Sequence, residues 1–75
     1  MDSLLAVPAY MFSVFLMIEQ FEDTTGNKVD PVCMGHLLRL MNANTTLGEI
    51  PTIIEGNGLE GLYPFRRWMK LTHAI

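Results

Sequence analysis

The 75-residue chain has a single cysteine, Cys33, and few charges. One thiol cannot close an intramolecular disulfide, so the covalent staples of small secreted domains are missing and the cytoplasm or another reducing compartment is expected. A basic leader is also missing. Asp2 is the only charged side chain before Glu19, and no small-residue cleavage pattern follows the apolar stretch, which argues against a secretory signal. The sequon Asn44-Thr45-Thr46 then reads as a polar turn rather than a glycosylation site. A long hydrophobic run is absent too: Leu4 to Ile18 is 15 residues with Pro8 inside it, whereas a membrane span needs ~20.

A chain this short removes only ~60% of its unfolded surface from water, so one domain spanning residues 1–75 is expected, without a deep active-site cleft. Charged residues make up 17% of it and hydrophobic ones 49%. The usual charged share is about 25%. Too few charges are present to cover so small a body, and exposed apolar patches on small proteins mark binding surfaces for protein or membrane. The charge is also uneven. Residues 1–60 hold all eight acids and two of the five bases, a net of −6, whereas the last fifteen hold Arg66, Arg67 and Lys70 and no acid, a net of +3.

Four helical segments follow from periodicity and end signals. "PAYMFSVFLMIEQFED" has no glycine, and its one proline stands at a tolerated first-turn position, which predicts a helix from about Pro8 to Asp23. Tyr10, Val14, Met17, Ile18 and Phe21 share one face of it; Phe12, Phe15 and Leu16 fall outside, interleaved with Glu19 and Asp23. Two apolar surfaces on one helix exceed what this chain can cover. Asp30-Pro31 is a cap followed by a first-turn proline, which predicts a second helix to about Met41 with Cys33, Met34, Leu37, Leu38, Leu40 and Met41 inward. Gly35 is expensive inside that helix and suggests a close helix contact. Thr46-Leu-Gly-Glu49 matches a capping box for a helix that Pro51 either limits to about one turn or restarts across Pro51 to Glu55; the rival is a short strand at "TIIE", which would lack a partner, and Gly56-Asn57-Gly58 breaks the chain. From Pro64, Phe65, Trp68, Met69, Leu71, Thr72 and Ile75 share one half of a helical wheel, and Arg66, Arg67, Lys70 and His73 the other. The expected fold is all-α, a single-domain bundle of three to four short helices.

Candidate chemistry is thin. Cys33 and His36 are neighbours on one helix, near an N-terminus that can lower a thiol pKa, but Cys33 lies on the apolar side, where free cysteine behaves as a small hydrophobe. Four ligands for a closed zinc site are hard to assemble, and no catalytic, cofactor-binding or metal-binding residue is expected. Gly56, Gly58 and Gly61 match G-x-G-x-x-G, yet Glu55 and Glu60 beside them would repel phosphate. "YPFRRWMK" carries the basic and aromatic groups that bind nucleic acid, but a sequence pI near 5.1 opposes it. The expectation is a non-catalytic protein-protein interaction protein, a small subunit or adaptor of a larger assembly or a homo-oligomer. Phe12, Phe15, Leu16, Phe65, Arg66, Arg67, Trp68, Met69 and Lys70 are its expected partner contacts. The alternative is a membrane-associated subunit anchored through residues 4–18, with a basic interfacial C-terminal helix.

Overall fold

The structure, a computed structural model, describes residues 8–73, and of His73 the backbone alone. The first expected anchor residues, 4–7, and Ile75 lie outside the described residues. Among the described residues, four α-helices and two single 3-10 turns form the fold and no strand occurs. α1 is Tyr10–Thr25, α2 Pro31–Leu40, α3 Ile50–Gly56 and α4 Tyr63–His73. Pro8 stands before α1 rather than in its first turn: the Pro8 carbonyl accepts from the Met11 N–H at 3.0 Å and so opens the helix from outside.

Each boundary has a local cause. α1 ends where Gly26 takes φ 75° and its N–H reaches the Glu22 carbonyl at 3.0 Å, a left-handed stop. The Glu22 carboxylate then accepts from the Val29 N–H at 3.0 Å and lies 3.6 Å from Lys28 Nζ, so one residue ties both ends of the α1–α2 turn. Asp30 caps α2 by accepting the Val32 N–H at 3.3 Å, with Pro31 in the first turn. The expected capping box forms, with Glu49 accepting the Thr46 N–H at 2.8 Å ahead of α3. α3 ends in a Schellman arrangement: Leu59 N–H donates to Ile54 O at 3.0 Å and Gly58 N–H to Glu55 O at 3.3 Å, with Gly58 at φ 62°. Leu59 and Ile54 are both buried, the apolar contact that accompanies this stop. The glycine run at 56–61 is therefore a helix terminus and turn.

All four helices feed one core. Val14, Met17, Ile18 and Phe21 come from α1, Met34 and Leu37 from α2, Ile50 and Ile54 from α3, and Phe65 and Met69 from α4, joined by Met41, Leu59 and Leu62 from the connections. Among the described residues no polar or charged side chain is buried. α3 and α4 pack together most extensively, and α1 reaches α4 through an aromatic cluster. Phe21 meets Phe65 edge-on at 5.5 Å and Trp68 edge-on at 5.6 Å, while Phe65 and Trp68 stack at 6.2 Å. Each such pair adds about 0.5–1.5 kcal/mol beyond burial of its area.

Two expectations about α2 change. Leu40 is exposed instead of inward, because the helix ends there and Met41 turns into the core in its place. Gly35 makes no close contact, since a Cβ on it would meet nothing within 4 Å. The close approach is at Gly61, where a Cβ would stand 2.6 Å from Asp30 Cβ and 3.0 Å from Cys33 Sγ. Gly61 lies in the 3-10 turn Glu60–Leu62, and its missing side chain lets that turn seat against the start of α2.

Candidate interaction surface

α1 divides by its own geometry. At about 100° per residue, Phe12, Phe15, Leu16, Glu19 and Asp23 fall within roughly 100° of arc, opposite the face that enters the core. Phe12 is 43% exposed, Phe15 38% and Leu16 65%, with Glu19 and Asp23 exposed in the next turns. The stripe is apolar in its first half and acidic in its second. Three large hydrophobic side chains side by side on one helix form a patch, whereas scattered exposed leucines would mean little.

α4 distributes its expected contacts differently. Phe65 and Met69 are fully buried, so neither offers surface to a partner: the inward face of α4 is consumed by α1 and α3. Trp68 is half-buried in the aromatic cluster. Arg66 is half-buried as well, with Nη1 2.7 Å from Glu55 Oε2 and its guanidinium 4.6 Å over the Tyr63 ring. Arg67 and Lys70 are exposed, and Leu71, expected on the apolar half, is 77% exposed. The surface of α4 is thus a basic edge beside Leu71.

A groove of about 480 Å³ opens between the C-terminal end of α1 and α4. Tyr63, Trp68 and Leu71 supply its apolar lining, and Arg66 and Arg67 its charge; among the described residues no carboxylate lines it. Sequence patterning placed the cations and aromatics on one helix but could not show this groove, because Phe21 and Thr25 that complete it come from a distant stretch.

The charges around Cys33 oppose its thiolate form. The thiol hydrogen-bonds the Asp30 carboxylate, and chiefly for that reason its pKa is raised, not lowered by the helix start. The same bond, with the Val32 N–H, lowers the pKa of Asp30. His36 instead lines a shallow outward surface with Val32, Gly35 and Arg39. No group of three metal-binding side chains is found among the described residues. Nor is any described helix long and apolar enough to cross a membrane. No family, curated protein or solved structure matches this chain.

Proposed function

We propose that this chain is a non-catalytic interaction protein, a small subunit or adaptor that docks on another polypeptide through the exposed stripe of α1 and the basic edge of α4. One observation carries the reading: α1 keeps Phe12, Phe15 and Leu16 in solvent after the core is complete. Taking a fully exposed Leu or Phe out of water is worth about 1.5–3 kcal/mol, and Phe12 and Phe15 are already more than half covered, so a partner that covers all three gains about 2–4 kcal/mol toward its affinity. Arg67 and Lys70 would then govern encounter and orientation rather than hold the complex. Trp68, half-buried against Phe21 and Phe65, ties α4 to α1.

The test is co-purification of untagged chain without detergent, comparing wild type with Leu16→Glu. Retention of a polypeptide, including a second copy, that the variant loses while keeping its helical melt is the expected result. A compact wild-type monomer at micromolar concentration with nothing retained would overturn the reading. So would flotation with phospholipid vesicles that survives carbonate washing, which would assign the stripe to lipid.

A further inference from the structure

The two surfaces described above have matching chemistry. The groove beside α4 has an apolar lining of Tyr63, Trp68 and Leu71 and cations but, among the described residues, no acid. The stripe of α1 presents exposed Phe12, Phe15 and Leu16, followed one and two turns later by Glu19 and Asp23, and no cation occurs anywhere in α1. An amphipathic helix with aromatic and aliphatic anchors and trailing carboxylates is the kind of segment such a groove accepts. We propose that the α1 stripe of one copy docks in the α4 groove of a second copy, head to tail; this rests on the interaction reading above and names the partner.

Placement on the molecule sets the symmetry. The groove is closed on one side by Phe21 and Thr25. These lie roughly 180° around α1 from the stripe. A chain therefore cannot fill its own groove with its own stripe, and the two patches do not share a face, as a reciprocal two-fold dimer using both would require. Repeating one heterologous contact adds copies in a row unless the rotation happens to close a ring. Charge selects the direction: two stripes paired in parallel would set Glu19 and Asp23 of each copy near like charges, and paired antiparallel would set them against the partner's Phe12 and Phe15, whereas the groove offers them Arg67, with Lys70 exposed on the same helix. Arg66 is already held by Glu55, so Arg67 is the lining cation open to a new carboxylate.

Mass against concentration, by sedimentation velocity and light scattering, tests this with two one-sided variants. Leu16→Glu disables the stripe, and Arg67→Glu with Leu71→Ser disables the groove; all three positions are on the surface, and circular dichroism melts check that each variant folds. Wild type should grow past two chains as concentration rises and shrink as salt is added. Each variant alone should be monomeric, and the two mixed should form a one-to-one complex that grows no further, because each supplies the surface the other lacks. Should the groove variant fold poorly, Arg67→Glu alone is used: it should weaken association about tenfold or more, and Glu19→Arg with Asp23→Arg should restore its binding. A wild type that stops at two chains, a mixture that stays monomeric, or a folded groove variant that assembles like wild type would each overturn the head-to-tail contact. If wild type is monomeric yet a different polypeptide co-purifies and is lost with Leu16→Glu, this inference fails and the interaction reading stands. If nothing is retained either, both fail.

Discussion

Gly61 and Gly35 differ in their surroundings, so the same substitution at each should act with opposite sign. At Gly61 a new Cβ would lie 2.6 Å from Asp30 Cβ, with Asp30 Oδ2 and Cys33 Sγ each 3.0 Å away. The nearest of these is a Cβ fixed to the backbone at the cap of α2, so it cannot swing aside, and the turn or the helix start must move by about an ångström to reach ordinary contact. Overpacking of this kind costs about 1–3 kcal/mol, against a gain of about 0.5–1 kcal/mol from restricting the unfolded chain. Gly61→Ala should therefore destabilise by about 1–2 kcal/mol. At Gly35 nothing lies within 4 Å and the residue sits inside α2, so Gly35→Ala should stabilise by about 0.5–1 kcal/mol. In a domain of this size 1 kcal/mol moves Tm by about 4–8 °C, so the two melts should fall on either side of wild type. Circular dichroism melts with urea titrations at constant slope provide the measurement. A Gly61→Ala protein as stable as wild type, or a Gly35→Ala protein less stable, would refute the packing account.

Phe21→Ala removes the ring that joins α1 to both Phe65 and Trp68, and should cost about 3–5 kcal/mol, enough to leave so small a domain marginal; a cooperative melt within about 1 kcal/mol of wild type, followed by Trp68 fluorescence, would contradict the central place of that cluster. Cys33 should alkylate slowly near neutral pH because its thiol is held protonated by Asp30, and Asp30→Asn, which keeps a capping side chain, should speed alkylation several-fold; equal rates would sink the assignment. The same pair gives a pH dependence: the carboxyl of Asp30 is lowered in the folded chain, so its contribution to stability is present above the ordinary aspartate range and is lost as the pH falls through the lowered value.

The sequence by itself determined the helices, because each is written in local signals acting over three or four residues. Asp30-Pro31 starts α2, Thr46 and Glu49 start the segment before α3, Gly26 and Gly58 stop α1 and α3, and the spacing of Val14, Met17, Ile18 and Phe21 names the buried face of α1. It also determined that Phe12, Phe15 and Leu16 would be surplus to one core. What only the tertiary structure decided is how much of each inward face the neighbours consume. Periodicity assigned Phe65, Met69 and Leu71 to the same half of α4, yet the first two are sealed by α1 and α3 while Leu71, at the open groove between α1 and α4, stays in solvent. The glycine needed for close approach is likewise Gly61 rather than Gly35, because the approach is between the 3-10 turn and the start of α2, some thirty residues apart in the chain. A helical wheel carries the direction of a side chain and not its neighbour. Burial, close contact and the α1–α4 groove are relations between segments, and these exist only once the segments have packed.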